Sequence, residues 1–350
     1  MQFIIKKSLI IFLLLNLVSL HNKAHSSSSQ NKIDDYGLIS IMYHRFDEAK
    51  YPSTNIQLEV FKEQLKIIEK EKIIFIHPNK IKENLTSYKK QRKILLTIDD
   101  GLSSFYENAW PILKAKKIPF LLFVSTREVG RFNYMSWKQI EELSKNKNVV
   151  IGNHSHSHEY LVNEKPNIIK KDILKSIEIF KNELGISSKF FSYPFGEYSL
   201  EFKKIIEELG FKFAFGQHSG VIDETKDLFE LPRFPINEKY GEIKRFKTLM
   251  KTLPLKYNRI SPENKFLKDS DNPPIVKIEF QEGIADLNLI NCFSNEGNKW
   301  RNSNISFIKK DTLEIKISEK FLGERGRINC SLRDKSGFWR WLGIQFVLAE

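Results

Sequence analysis

Apolar residues along this chain follow two alternating periodicities. Short continuous apolar runs at 38–42, 73–76, 94–98, 119–125, 149–151, 190–193 and 211–215 have the length of buried strands. Between them, 58–69 carries Phe61, Leu65 and Ile68 at helical spacing, and 105–116, 137–145, 168–184 and 202–209 also read as helices. Gly210 stands where the last of these should stop. The alternation predicts an α/β fold with parallel strands, and the number of repeats favours a barrel over an open sheet. Polar residues gather just past the strand ends: His44, Asp99 and Asp100, His154 to His158, Tyr193 with Pro194, and His218. In a β/α barrel those ends meet on one face, where active sites are built, so these distant residues are expected to converge.

After residue 249 the pattern changes. Residues 250–274 are rich in Pro, Asn, Lys and Ser and read as a linker. Beyond them, short apolar runs at 276–280, 286–290, 305–308, 312–317, 327–332 and 344–348 predict a small all-β, sandwich-like C-terminal domain over 275–350. The barrel is expected over 36–249.

Composition adds limits. The hydrophobic fraction of 41% with 12% aromatics excludes a disordered chain. The formal charge of +13 is scattered, with no dense Lys/Arg block. It fits a bias toward Lys, Asn and Ile better than attraction to an acidic polymer or membrane surface, and no nucleic-acid partner is predicted. At the N-terminus, Lys6 and Lys7 precede an uncharged apolar run, 8–20, followed by a polar stretch. That layout is a signal peptide over 1–24, with Ala24 as the cleavage position and 25–35 as a polar leader; the run is short for a transmembrane helix. The protein is expected to be exported, to a periplasm or the cell surface and beyond, with membrane association through an uncleaved signal left open. Cys292 and Cys330 fit a disulfide in that oxidising space, and no further zinc ligands accompany them.

Two stretches carry chemistry. In Thr97-Ile98-Asp99-Asp100-Gly101, two adjacent carboxylates end a buried strand. An ionised carboxylate is costly to bury unless paired or bound to metal. The pair is either a solvated Asp-Gly turn, or one carboxylate holds a cation while the other reacts beside it. In His154-Ser155-His156-Ser157-His158, alternate histidines lie on one strand face or in a loop. If the outer two ligate a metal, Asp100 with His154 and His158 leaves positions open for water and substrate, as catalysis requires. A solvated His-rich loop is the plainer reading of the stretch alone.

The same residues resemble a known family. Thr97-Ile98-Asp99-Asp100-Gly101 is similar to the T-F-D-D-G motif of polysaccharide deacetylases, the NodB-homology carbohydrate esterases. His154-Ser155 with His158 matches their H-[ST]-x-x-H motif, in the family's order and at roughly its separation. Tyr193-Pro194-Phe195-Gly196 looks like the third motif, R-x-P-Y-G, except that Ser192 replaces Arg and Phe195 replaces Tyr. The resemblance covers about 39–237 and implies a distorted (β/α)7 barrel. Tyr43-His44 resembles the N-terminal Tyr-His of the permuted, poly-N-acetylglucosamine deacetylase-like branch.

The resemblance implies Asp99 as general base and Asp100, His154 and His158 as ligands of a divalent metal, usually zinc. His44 becomes the acid that protonates the leaving amine, with His218 as runner-up. A backbone N–H of the third motif, at Tyr193, is expected to hold the oxyanion, with Pro194 and Phe195 lining the same place. In the usual pattern an Arg steadies the base, so Ser192 leaves the orientation of Asp99 unaccounted for. Asn55 and Arg233 sit where loops could line a sugar cleft, though a turn residue and a surface charge are the plainer readings. His156 is expected to point away from the metal or to support a ligand. Trp300, Trp339 and Trp341 could stack on sugars, with packing the commoner use of such rings. The expected activity is removal of N-acetyl groups from an amino-sugar polymer. An O-acetyl esterase on the same scaffold, or an inactive carbohydrate-binding or adhesive protein, are the alternatives.

Overall fold

The computed structural model describes residues 36–86 and 91–349. The expected signal peptide and leader lie outside the described residues. Among the described residues, no helix is long and apolar enough to cross a membrane.

Parallel strands frame the first part of the chain, chief among them β1 (Leu38–Tyr43), β2 (Lys93–Ile98), β3 (Phe120–Val124), β4 (Val149–Asn153), β5 (Phe190–Ser192), β6 (Phe213–Phe215) and β7 (Phe234–Pro235). β1 to β6 pair in that order. All of β1, β2 and β3 is buried, as expected for parallel strands covered on both faces. The sheet curls. β7 pairs with β1, while Leu231, three residues earlier, bridges Phe215 at the other edge. Residues 231–235 thus link the two edges of a parallel half-barrel and bring the strand ends together.

Helices α1 (Leu58–Lys70), α2 (Trp110–Lys116), α3 (Trp137–Ser144), α4 (Pro166–Leu184), α5 (Leu200–Glu208) and α6 (Ile243–Leu249) cover the sheet. α1 buries Phe61, Leu65 and Ile68, the positions its spacing predicts. The single helix expected over 105–116 is two elements, a π-helical turn over Phe105–Ala109 running into α2. Pro111 lacks the N–H that a continuous α-helix would use there, and a wider turn absorbs the loss.

The C-terminal part differs more. Residues 250–274, expected as a linker, contain strands Thr252–Pro254, Tyr257–Ser261 and Phe266–Leu267, all paired into sheets. The strand expected at 286–290 is a short turn, Leu287–Leu289, because Asp286 takes a left-handed backbone; the strand follows at Asn291–Ser294. Six strands form one sheet and four another. They share a core that includes Val276, Ile278, Leu313 and Ile315 from one and Cys292, Ile328, Leu342 and Ile344 from the other. A disulfide joins Cys292 to Cys330, directly opposed on neighbouring strands.

This region docks on the half-barrel, and the described residues form one compact unit. The strand Trp339–Leu348 is buried over most of its length. Its Leu342, Ile344 and Phe346 enter the sheet–sheet core, while Val347 and Trp341 pack against the half-barrel. Gly343 permits the approach: a Cβ there would lie 2.3 Å from the Ser219 carbonyl oxygen.

Candidate active site

β2 delivers the carboxylate pair. The Asp99 N–H donates to the Tyr43 carbonyl, continuing the β1–β2 ladder, and then Asp100 and Gly101 take positive φ values of 75° and 78°. Aspartate tolerates this conformation better than most residues. Two left-handed residues in succession end the strand, and the two carboxylates acquire different partners.

Asp100 faces the histidines. Its Oδ1 lies 3.5 Å from His154 Nε2 and 3.4 Å from His158 Nε2. One ligand atom from each of these residues can be chosen so that all lie within 4.8 Å of one another. Asp100 Oδ1 is buried without a hydrogen-bond partner. An orphaned carboxylate oxygen between two imidazole nitrogens is what a divalent cation would satisfy, so these residues fit such an ion. Burial alone would raise the Asp100 pKa; the neighbouring imidazoles of His154 and His158 and the charge of His44 outweigh it and hold the carboxyl well below its ordinary range.

The histidines are held from behind. His154 Nδ1 lies 2.7 Å from the Ser192 carbonyl, so its Nε2 is left for the cluster. Gly152 is needed two residues earlier, since a Cβ there would meet the Phe123 ring at 2.4 Å. Beyond His154, Ser155 N–H donates to Asn153 Oδ1 and His158 N–H to Ser155 Oγ. Asp172 on α4 accepts from the His156 and Ser157 N–H groups, and Ser176, one turn on, bonds Asn153. Desolvation lowers the His158 pKa, but Asp100 more than compensates and the net shift is upward.

Asp99 faces Arg233. The guanidinium donates to both carboxylate oxygens, at 2.6 and 2.8 Å, and also to Ser192 Oγ, Thr97 Oγ1 and the Gly216 carbonyl. Both side chains are fully buried. Burial would raise the Asp99 pKa; Arg233, then His154 and His44, reverse this and keep it low. His44, half-buried at the end of β1, stands in the field of both carboxylates, of Arg233 and of His154; desolvation dominates and lowers its pKa.

Residues 86–214 match the model of the polysaccharide deacetylase family. Residues 86–214 thus resemble a polysaccharide deacetylase domain. The chain is 25% identical over 265 residues to the poly-β-1,6-N-acetyl-D-glucosamine N-deacetylase of Staphylococcus aureus, covering 66% of this chain and 90% of that protein. Among solved structures, it resembles IcaB from Ammonifex degensii with a TM-score of 0.57 and 25% identity, over 62% of this chain and 98% of that one. The fold is shared with the deacetylase PplD of Streptococcus pyogenes, at a TM-score of 0.56 and 21% identity over 62% and 99% of the two chains. The Staphylococcus aureus protein is an N-deacetylase and the Streptococcus pyogenes protein a deacetylase by name, and amide hydrolysis is the work of an N-deacetylase.

The structure brings Asp99, Asp100, His154, His158 and His44 together and redirects other expected residues. Arg233, read as a surface charge near a cleft, is fully buried and holds the Asp99 carboxylate. The Tyr193 N–H, expected to hold the oxyanion, donates to the Phe215 carbonyl at 3.1 Å as part of the β5–β6 pairing, and its hydroxyl donates to the Phe229 carbonyl. Phe195, at φ 57°, lies edge-on to His158 with centroids 4.8 Å apart. His218 is half-buried behind the third-motif turn, near Tyr198, and its Nδ1 is enclosed without a partner. Burial and nearby Lys265 and Lys226 push its pKa down to about 3. Asn55 is buried in a short strand, Asn55–Ile56, and spent on Glu238 and the Glu48 N–H, so it faces no cleft. His156 turns to Thr126. Trp341 packs edge-on to Phe234, a packing role. Asp172 and Ser176 escaped the sequence reading, though two polar residues one turn apart beside Ile169 and Ile173 mark an interruption of an apolar face.

Proposed function

We propose that this protein is an exported, metal-dependent deacetylase that removes N-acetyl groups from a poly-N-acetylglucosamine-type polymer. The observation that carries the reading is the division of labour between two adjacent carboxylates: Asp99 is clamped by Arg233, whereas Asp100 is left with one buried oxygen facing His154 and His158. A structural ion-pair network would have no use for the second, unsatisfied oxygen.

Asp100, His154 and His158 would hold the divalent cation, with zinc favoured by two imidazoles and one carboxylate. When bound, it acidifies water and polarises the amide oxygen. Asp99, kept ionised and immobile by Arg233, takes the proton from the attacking water. His44 gives a proton to the departing amine. Pro194 has no N–H and that of Tyr193 is spent, so the oxyanion falls to the N–H of Phe195, in the first turn of a short 3₁₀ segment where such groups lack a helical partner. The product amine and acetate then leave the cleft.

The half-barrel corresponds on this reading to the distorted (β/α)7 barrel, with the two C-terminal sheets as a sandwich-like accessory. Export rests on the sequence of 1–24, and an uncleaved signal would tether the enzyme to the membrane.

The test is acetate release from N-acetylglucosamine oligomers by zinc-loaded protein, with Asp99→Asn alongside. Release that falls at least a hundredfold in the variant is expected. Release that persists would remove Asp99 from the role of base. Activity confined to O-acetylated sugars would replace the amidase by an esterase.

A further inference from the structure

Over a third of this chain falls outside its match to IcaB from Ammonifex degensii, and the C-terminal strands do more than cover the half-barrel. Gln345 Nε2, on the last strand, donates to the Gly196 carbonyl in the third-motif turn. Arg325, on the neighbouring strand, pairs with Glu197 of the same turn at 3.0 Å. The turn that presents Phe195 to His158 is therefore braced from the C-terminal side.

Beside this brace lies a cavity of about 300 Å³, lined by Tyr160, Asn163 and Glu197 from the half-barrel and by Glu324, Val347 and Leu348 from the C-terminal strands. Two ring contacts link its lining to His158. Tyr160 stacks face to face on Phe195, centroids 4.1 Å apart, and Phe195 abuts His158. We propose that this cavity is a subsite for a second pyranose unit of the glycan whose N-acetyl group is being removed, so that the C-terminal strands form one wall of the substrate cleft. The inference rests on the deacetylase reading.

The lining suits a sugar on two counts. A pyranose carries hydroxyls around its rim and C–H groups on its faces. Here the carboxylates and the Asn163 amide can fix hydroxyls, while the Tyr160 ring and the Val347 and Leu348 side chains offer apolar surface. The charge is also selective. Two carboxylates face one guanidinium, Arg325, so a neutral N-acetylhexosamine or an amine-bearing hexosamine fits, whereas an acidic sugar is repelled.

The experiment compares kcat/KM on N-acetylglucosamine itself and on its β-1,6-linked pentamer for the zinc-loaded wild type, Glu324→Ala and Leu348→Trp. The first variant removes a polar contact and the second fills the cavity, so misfolding of either leaves the other informative. The wild type should prefer the pentamer. In the variants that preference should fall about tenfold, mostly through KM, with the monosaccharide changed less than twofold. No length preference in the wild type, or the same preference in folded variants, would overturn the subsite. A separate calorimetric titration of chelator-treated protein with the pentamer needs no turnover. Tenfold weaker binding in the variants would support the subsite, and equal binding would oppose it. Should no oligomer be deacetylated, the deacetylase reading fails while this titration still decides the cavity.

Discussion

Arg233 grips both oxygens of Asp99 from a point 134 residues further along the chain. Ser192, where the family pattern has arginine, accepts a third hydrogen bond from the same guanidinium at 2.8 Å. The positive charge that steadies Asp99 thus comes from the segment closing the half-barrel and not from β5. Arg233→Met should lower kcat about a hundredfold with little change in KM, because the base loses its orientation. It should also cost about 3–5 kcal/mol of stability by stranding a buried carboxylate. Adding Ser192→Arg to that variant should restore part of both. Steady-state kinetics and urea unfolding read the outcome, and a double variant no better than Arg233→Met would show that the two positions are not interchangeable.

The difference between what the sequence revealed and what it hid follows from distance along the chain. Asp99 with Asp100, and His154 with His158, were legible because each pair is local and sits at the end of an apolar run. The disulfide was legible because Cys292 and Cys330 had no other partner to choose. Arg233 was not, since its burial depends on how 231–235 spans β6 and β1, a register no local pattern records. The Tyr193 N–H was misassigned for a related reason: whether a strand-end donor is free depends on the pairing of β5 with β6. In 250–274 the strands are only two to five residues long, too short for their alternation to stand out from a Pro- and Asn-rich background.

Asp172 should matter although it touches no metal ligand side chain. Its carboxylate receives the His156 and Ser157 N–H groups and so fixes the loop that sets His158. Asp172→Ala is expected to weaken zinc binding 10- to 100-fold, the usual cost of losing support behind a ligand. Competition with a chromogenic chelator measures it. Unchanged affinity would mean that the Ser155–His158 hydrogen bond is sufficient alone.

Cation binding should register in stability as well as activity. A ligand at a thousand times its dissociation constant adds about 4 kcal/mol to a protein that binds it only when folded. Zinc added to chelator-treated protein should therefore raise the unfolding midpoint, while magnesium should do little, because it disfavours imidazole. In His154→Ala the zinc shift should vanish. A shift retained in that variant would place the cation elsewhere.

His218 offers a pH-dependent test that also separates the two candidate acids. Its folded pKa, about 3, lies below the ordinary 6.5, so between those values the unfolded chain binds a proton that the folded chain refuses. Stability from this source is complete above 6.5 and is lost as pH falls toward 3, by at most about 1.4 kcal/mol per pH unit. Urea unfolding at pH 7 and pH 5 should therefore show a loss about 2 kcal/mol smaller in His218→Gln than in the wild type. An imidazole that stays neutral behind the third-motif turn has no proton to give a leaving amine near neutrality. His218→Gln should accordingly keep acetate release near the wild-type rate, whereas His44→Ala should lose at least a hundredfold. The reverse pattern would move the acid from β1 to the far side of that turn.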